Sequence, residues 1–271
     1  MTALQEYFPL SNGVRMPKIG FGTWQINDAQ QAYDATSSAL ASGYRHIDTA
    51  RVYGNEESVG RAIRDSGIPR AELFVATKLP AEVKDHDQAL TSFETTMEAL
   101  GLDYVDLYLI HAPWPWDEVG KDCSTGNKAA WTALETIHRS ERAKAIGVSN
   151  FNATDLEVIL DGCVIQPMVN QIRFFIGHTQ PDVVDFCKGE GIQLIGYSPL
   201  ATGKLLANSE IAAVAERYGK SVAQICIRYV LQKGIAPLPK STHAERIRQN
   251  VDVNFEISSD DMTLLDGLRD V

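Results

Sequence analysis

The chain has 271 residues, of which 44% are hydrophobic and 22% are charged. This composition is ordinary for a folded globular protein and excludes extensive disorder. The net charge of -10 at pH 7 argues against a protein that binds nucleic acid or anionic membranes through its overall charge. The length is normal for one α/β barrel, so we expect a single domain over residues 1–271.

The N-terminus and the cysteines bear on where the protein works. Residues 1–7 lack the basic stretch and apolar stretch of a secretory signal, and no run approaches the ~18 apolar residues that span a bilayer. The cysteines form no CxxC pair, which argues against a zinc knuckle and a dithiol redox motif. They are Cys123, Cys163, Cys187 and Cys226. We therefore expect reduced thiols in a cytoplasmic protein without a membrane partner.

The first predicted element is an N-terminal β-hairpin. Residues 7–10 and 14–16 are apolar-rich and flank Ser11-Asn12-Gly13. Asn-Gly is the strongest short sequence signal for a hairpin turn.

Eight strand-like runs follow, most of them apolar without strict alternation, as expected of parallel strands covered on both faces. They span residues 19–23, 46–50, 73–78, 105–111, 144–149, 168–173, 193–198 and 235–241. Helical stretches separate the runs: Asp28 suits the N-cap of a helix ending near Gly43, and residues 221–224 and 242–245 have the form of capping boxes. These alternations, without a flexible linker, predict a closed (β/α)8 TIM barrel rather than an open doubly wound sheet.

Two connections are longer than a simple barrel needs. Residues 112–126 are rich in Pro and Trp, and residues 200–208 precede an extra helix. Insertions at the C-terminal ends of the barrel strands are candidate substrate and cofactor loops.

Four polar residues stand at or just beyond the C-terminal ends of three successive runs, where a core would place apolar side chains. They are Asp48, Tyr53, Lys78 and His111. In a parallel barrel these strand ends open onto one face, so we predict that the four residues form one catalytic site.

The chemistry of the four residues suits a reaction at a carbonyl oxygen. A tyrosine phenol has a pKa of about 10 and exchanges protons slowly at neutral pH unless nearby positive charge lowers that pKa. Lys78, held by Asp48, would supply the charge to Tyr53, and His111 would orient the carbonyl. Each residue also has a structural interpretation as a packed tyrosine, a solvated lysine or a core histidine, and their joint placement favours catalysis.

The cofactor site is not of the Rossmann type. Gly20-Phe-Gly22-Thr23-Trp24-Gln25 has glutamine where GxGxxG needs its last glycine. Instead Lys240, Ser241 and Arg246 combine two cations, a hydroxyl and free backbone N–H groups at the start of a helix. We interpret them as a site for the 2′-phosphate of NADP, because NAD would leave both cations without an anion; the alternative is a basic helix terminus on the surface.

Three sequence segments closely resemble the aldo-keto reductase superfamily, especially its bacterial 2,5-diketo-D-gluconate reductase-like branch. They are residues 43–57, Gly147-Val-Ser-Asn-Phe151, and Pro239-Lys-Ser241 with Arg246. The resemblance covers nearly the whole chain. It implies a TIM-barrel oxidoreductase in which NADPH reduces aldehydes or ketones, with Tyr53 as general acid, Lys78 and Asp48 tuning it, and His111 orienting the substrate. In alcohol oxidation Tyr53 would be the base.

The resemblance also implies the cofactor contacts. Ser149, Asn150 and Gln171 would bind the nicotinamide carboxamide, Tyr197 would stack on its ring, and Asn250 would reach the adenine. The alternatives are that Asn150 and Gln171 satisfy loop backbone and that Tyr197 packs the barrel. The implied set is Gly22, Thr23, Asp48, Ser149, Asn150, Gln171, Tyr197, Ser198, Leu200, Lys240, Ser241, Arg246 and Asn250.

The sequence departs from the family at the substrate side. Arg173 stands where an acidic residue is usual, and Ala112-Pro-Trp-Pro-Trp116 replaces a Trp-Pro pair after His111. We expect Trp24, Trp114 and Trp116 to line the substrate site beside His111, with the alternative that Trp114 or Trp116 packs under the loop. The end of the chain at Val271 leaves a short tail, which predicts an open, permissive pocket.

Two other function classes agree less well with the sequence. A metal-dependent barrel hydrolase would use His46, Asp48 and His111, but Lys78 would repel a divalent cation, so no metal is expected. A regulatory barrel that binds NADPH without turnover is disfavoured by the complete set of four polar residues. The expected partner is a small carbonyl compound of unspecified identity, not nucleic acid, and the family favours a monomer.

Overall fold

A computed structural model describes residues 2–269. A β-hairpin precedes eight barrel strands, and all strands are short. They are β1 (Tyr7–Pro9), β2 (Arg15–Pro17), β3 (Gly20–Gly22), β4 (His46–Asp48), β5 (Phe74–Leu79), β6 (Val105–Ile110), β7 (Ala143–Ser149), β8 (Val169–Arg173), β9 (Gln193–Tyr197) and β10 (Ala236–Leu238).

Within residues 2–269, ten α-helices surround the barrel or follow it. They are α1 (Ala29–Ala41), α2 (Glu56–Asp65), α3 (His86–Leu100), α4 (Ser124–Arg139), α5 (Ala153–Leu160), α6 (Pro181–Gly189), α7 (Ser209–Tyr218), α8 (Val222–Gln232), α9 (Ala244–Gln249) and α10 (Ser259–Gly267). Short 3₁₀ helices occupy Ala3–Gln5, Arg51–Tyr53, Arg70–Glu72 and Ala201–Ala207. No helix within residues 2–269 combines the length and apolar character needed to cross a bilayer.

The strands from β3 to β10 lie in chain order, each hydrogen-bonded in parallel to the next. The Gly22 N–H donates to the Pro239 carbonyl at 3.1 Å and joins the last strand to the first. β1 and β2 pair antiparallel in a separate sheet that precedes the barrel strands in the chain. The predicted TIM barrel and N-terminal hairpin are therefore confirmed.

Helix ends follow the predicted signals in two of three places. The Asp28 carboxylate accepts the Gln31 N–H at the start of α1, and Ser221 forms a capping box with Gln224 at the start of α8. The predicted capping box at 242–245 is wrong, because α9 begins at Ala244 with His243 as N-cap and no side-chain cap. The Ser241 hydroxyl accepts the His243 N–H and closes the preceding turn instead.

Close backbone packing fixes two glycines. A Cβ on Gly147 would come within 2.4 Å of the Val169 carbonyl oxygen on the neighbouring strand, so only glycine fits this part of the barrel wall. A Cβ on Gly60 would come within 2.0 Å of the Leu100 carbonyl oxygen, where α2 meets the end of α3. Gly60 belongs to the helix that follows Tyr53 in the chain.

Candidate active site

A cavity of about 1050 Å³ opens at the C-terminal ends of the barrel strands. Its wall includes residues at the ends of β3, β4, β7, β8, β9 and β10 and in the loops that follow them. Parallel α/β barrels carry their active sites at this face. The predicted catalytic residues would therefore lie in this cavity.

Asp48 and Lys78 form a buried ion pair at the base of the cavity. The Lys78 Nζ donates to Asp48 Oδ1 at 2.6 Å and to the Thr49 carbonyl at 2.8 Å, and Gln171 Nε2 donates to Asp48 Oδ2 at 2.8 Å. The side chains of Lys78 and Asp48 are 0% and 4% exposed. Burial lowers the pKa of Lys78, and the Asp48 carboxylate opposes that shift. Each charge is compensated, as a buried pair requires.

Tyr53 and His111 lie beside this pair. Tyr53 ends a 3₁₀ turn after β4, and the Lys78 Nζ lies 5.1 Å from the centre of its ring. The His111 ring meets the Tyr53 ring edge to face at 5.6 Å between centroids. The fold thus brings all four predicted residues together.

The protonation of Tyr53 differs from the expectation. Burial, reinforced by the Asp48 carboxylate, raises the pKa of Tyr53 well above its usual value of 10.0. Within residues 2–269, Lys78 donates to Asp48 and Thr49 and not to the phenol. The predicted lowering of this pKa is therefore wrong for this arrangement, and Tyr53 keeps its proton at neutral pH.

His111 is neutral at neutral pH. Burial lowers the pKa of His111 well below 6.5, and the nearby Lys78 ammonium adds to the shift. Its Nδ1 is buried without a hydrogen-bond partner within the described chain. A neutral imidazole has one N–H to donate, which suits a group that orients a carbonyl oxygen.

Asn55 and Glu56 hold the segment that carries Tyr53. The Asn55 side chain accepts from the Thr49 hydroxyl at 2.8 Å and donates to two backbone carbonyls after β3. The Thr77 hydroxyl donates to Glu56 Oε1 at 2.6 Å, next to Lys78 on β5. No role was predicted for either residue, because three of their four partners lie at least 21 residues away in the sequence.

A polar network crosses the middle of the cavity. The Tyr197 hydroxyl donates to Asn150 Oδ1 at 2.7 Å, and Asn150 Nδ2 donates to the His111 carbonyl at 2.9 Å. The Ser149 hydroxyl donates to the Gln171 carbonyl at 2.8 Å. The Asn150 amide thus binds loop backbone, as the structural alternative proposed, whereas the Gln171 amide binds the Asp48 carboxylate. These bonds fix both side chains at the cavity wall.

The basic residues line the far end of the same cavity. Lys240 and Arg246 face it together with Ser241 and Asn250, both of which are largely buried. Neither cation forms an ion pair with a carboxylate in the part of the chain that the structure describes. Their charge is available to an anion.

Most remaining predicted contacts also line the cavity. Gly22, Trp24, Ser198 and Leu200 belong to its wall. Thr23 is buried behind the wall, where its hydroxyl donates to the Asp48 carbonyl at 3.0 Å. Thr23 therefore supports Asp48 from behind.

The two loop tryptophans, both expected at the substrate wall, take different positions. Trp116 lines the cavity and meets the His111 ring edge to face at 5.3 Å. Trp114 is not among the lining residues and packs against Trp116 at 5.2 Å. Of these two predicted wall residues, the cavity wall therefore contains Trp116 and not Trp114, because the loop turns only its second indole inward.

Three further residues line the cavity that were not predicted as site residues. Val52 and Leu206 are exposed apolar side chains in the cavity wall, and only the structure shows that exposure. Arg173, at the end of β8, also lines the cavity and is exposed. The departure from the usual acidic residue therefore changes the charge at the cavity rim.

The alternative of a metal-dependent hydrolase requires a cluster of metal ligands. Within residues 2–269, no group of three or more His, Cys, Asp and Glu side chains could hold a metal ion. His46 is fully buried, its ring packs on Phe74 at 4.8 Å, and burial lowers its pKa to about 4. His46 thus belongs to the core rather than to the cavity wall.

Known proteins resemble this chain over nearly its full length. The model of the aldo/keto reductase family matches residues 18–270. The glyoxal reductase of Bacillus subtilis is 43% identical over 99% of this chain and 94% of its own length. The 9,11-endoperoxide prostaglandin H2 reductase of Trypanosoma cruzi is 39% identical over 96% of this chain and 90% of its own.

Solved structures agree with the sequence comparisons. A crystal structure of an aldo/keto reductase from Brucella melitensis superposes with a TM-score of 0.90 at 39% identity, covering 96% of this chain and 98% of that one. A Bombyx mori aldo-keto reductase in complex with NADP gives 0.87 at 33% identity, with 96% and 91% covered. The chain therefore belongs to the aldo/keto reductase family and is an NADP-dependent oxidoreductase that reduces carbonyl compounds.

Proposed function

We propose that Tyr53 is the proton donor of this reduction, with Asp48, Lys78 and His111 completing the catalytic group. The observation that carries the proposal is the buried Asp48–Lys78 pair at 2.6 Å, beside the rings of Tyr53 and His111 at one wall of the cavity. The C-terminal end of a barrel is where such groups act on a substrate.

Each of the four residues has a physical role in the proposal. Tyr53 holds its proton because burial raises its pKa, so the proton is present when an alkoxide-like oxygen develops. The Lys78 ammonium stabilises the phenolate that remains, since opposite charges attract strongly in a buried site. Asp48 keeps that ammonium in place, and the neutral His111 donates its N–H to the carbonyl oxygen.

The basic end of the cavity fits the phosphate of NADP. Lys240 and Arg246 line it without carboxylate partners in residues 2–269, and Ser241 adds a hydroxyl. When bound, NADPH supplies the hydride. Ser149, Asn150 and Gln171 would bind the carboxamide, Tyr197 would lie against the ring, and the other predicted contacts would follow the dinucleotide toward Asn250. The cavity volume of about 1050 Å³ is large enough for a cofactor beside a small substrate.

The substrate proposal is a range of small aldehydes and ketones, with α-dicarbonyl compounds among them. The glyoxal reductase among the relatives supports the dicarbonyl group. Trp24, Val52, Trp116 and Leu206 give the wall an apolar character that accepts varied side groups. We further propose the 2,5-diketo-D-gluconate reductase-like branch, on the three resembling segments alone. The short tail ending at Val271, from which an open pocket was expected, lies partly outside the described residues.

Cellular context is also a proposal. All four cysteines have free thiols, which suits a reducing compartment such as the cytoplasm. We propose a monomer with one domain over residues 1–271. Size-exclusion chromatography with light scattering tests the monomer.

The test of function follows the loss of NADPH absorbance with aldehydes, α-dicarbonyl compounds, keto esters and keto-sugars, using NADH as the cofactor control. We expect turnover of several carbonyl classes with NADPH, modest differences in KM and weak activity with NADH. A strong preference for one substrate over all others would contradict the permissive pocket. NADPH binding without any turnover would instead support a regulatory barrel.

A further inference from the structure

Lys84 fixes the loop that carries Trp116. It lies between β5 and α3, and its Nζ donates to the Ala112 carbonyl at 2.8 Å and to Asn127 Oδ1 at 2.7 Å. Asn127 in turn donates through Nδ2 to the Pro113 carbonyl at 2.9 Å. These three bonds hold the two residues that directly follow His111.

The Lys84 ammonium donates its hydrogen bonds to uncharged acceptors. Within the described chain, Lys84 forms no ion pair with a carboxylate, and burial lowers its pKa to about 8. Asn127 is 3% exposed, so its amide depends on these protein partners. A partly buried ammonium that binds a backbone carbonyl and an amide oxygen strengthens those bonds relative to a neutral donor.

The contact between the two segments is tight. A Cβ on Gly126 would lie 2.6 Å from the Lys84 Cβ and 3.0 Å from the Lys84 carbonyl oxygen, so the backbone at 84 packs directly on the start of α4. The backbone N–H of Trp116 also donates to Glu82 Oε1 at 3.4 Å. The segment after β5 therefore contacts both ends of the stretch from Ala112 to Trp116.

Trp116 is only partly packed against the protein. Its side chain is 42% exposed and meets two rings, His111 at 5.3 Å and Trp114 at 5.2 Å. The His111 ring adjoins Tyr53 on its other side. The position of the indole relative to the reacting groups thus depends on the backbone that Lys84 and Asn127 hold.

We propose that Lys84 and Asn127 are positioning residues that determine substrate specificity by holding Trp116 against His111. The indole then forms an apolar wall for carbonyl compounds that carry an aromatic or bulky apolar group. This inference rests on the proposed function, and Lys84 itself does not touch the substrate.

The experiment compares Lys84→Met with Lys84→Arg, which keeps the charge and donors, and with Lys128→Met as the matched control. Lys128 lies on α4 in an exposed ion pair with Asp161, away from the cavity wall. Steady-state kinetics with benzaldehyde and with glyoxal are measured at saturating NADPH. We expect Lys84→Met to raise the KM for benzaldehyde about tenfold, the size of one lost apolar contact in a pocket. The KM for glyoxal and the Kd of NADPH should change less than about twofold.

Hydrogen exchange of residues 112–121, measured by mass spectrometry, gives a second readout that needs no turnover. Exchange should be faster in Lys84→Met than in the wild type and Lys128→Met, and Lys84→Arg should restore part of the protection. Equal KM changes for both aldehydes, or unchanged exchange in this segment, would overturn the inference. A wild type that reduces neither aldehyde would refute the proposed function, and the exchange comparison would still decide the role of Lys84.

Discussion

The two ends of the cavity are built differently. At the proton end, Asp48 and Lys78 are buried and already bound to each other and to Thr49 and Gln171. At the phosphate end, Lys240 and Arg246 line the cavity without carboxylate partners among residues 2–269. The first end is organised by the fold alone, which suits a catalytic group that must not move. At the phosphate end, the two cations are neutralised only when an anion binds, which suits a cofactor that must bind and leave.

The largest expected effect is at the proton end. Tyr53→Phe removes the hydroxyl and keeps the ring that packs on His111. We expect kcat to fall by ~10²–10⁴, the usual contribution of a general acid, while the Kd of NADPH changes little. Rapid-mixing kinetics and fluorescence titration with NADPH check the two quantities. A variant that keeps more than a tenth of wild-type kcat would show that another group donates the proton.

Lys78→Met tests whether the buried pair is a unit. Removing the ammonium leaves the Asp48 carboxylate buried and uncompensated, so we expect a loss of about 3–5 kcal/mol in the free energy of unfolding as well as a large loss of kcat. The double variant Asp48→Asn with Lys78→Met should be more stable than Lys78→Met, because no charge then remains buried. Urea denaturation of the wild type, both single variants and the double variant measures the coupling, and additive losses in the double variant would contradict it.

The sequence predicted this end better than the other features of the site. The positions of Asp48, Lys78 and His111 follow from strand ends, because parallel strands in a barrel leave no choice of face. The pKa of Tyr53 could not be predicted, since its direction depends on burial by segments distant in sequence. Which of Trp114 and Trp116 reaches the cavity depends on how one Pro-rich loop turns, and hydrophobic periodicity does not encode that turn.

Glu56 helps to hold the segment that carries Tyr53 but is not one of the four proposed catalytic residues. A change at Glu56 therefore tests the structural support of the proton end apart from the proton transfer. Burial raises the pKa of Glu56 from 4.5 to about 7, although the Thr77 hydroxyl and the positive charges of Arg51 and Lys78 oppose the shift. The folded state binds the Glu56 proton more tightly than the unfolded state does. Protonated Glu56 therefore makes its full contribution to the free energy of unfolding below about pH 4.5, and that contribution is lost as the pH rises to about 7.

Glu56→Gln should remove this loss. The free energy of unfolding of the variant, relative to the wild type, should rise by roughly 3 kcal/mol between the two pH values, since each pKa unit corresponds to about 1.4 kcal/mol. Glu57→Gln, one residue along and exposed, is the matched control and should follow the wild type. Denaturation curves at several pH values give the comparison, and parallel curves for wild type and Glu56→Gln would mean that Glu56 stays ionised in the fold.

The smallest effect we expect is at the phosphate end, and it should be confined to binding. Arg246→Ala removes one of the two cavity cations, so the Kd of NADPH should rise about tenfold or more, as for a lost hydrogen bond to a charged group of about 1.5–3 kcal/mol. The Kd of NADH should stay unchanged, because NADH lacks the 2′-phosphate, and kcat at saturating NADPH should be close to wild type. Added salt should weaken NADPH binding less in the variant, since exposed charges are screened. Equal losses for both cofactors would mean that Arg246 supports the fold of the cavity wall, and the phosphate end would then be as fixed as the proton end.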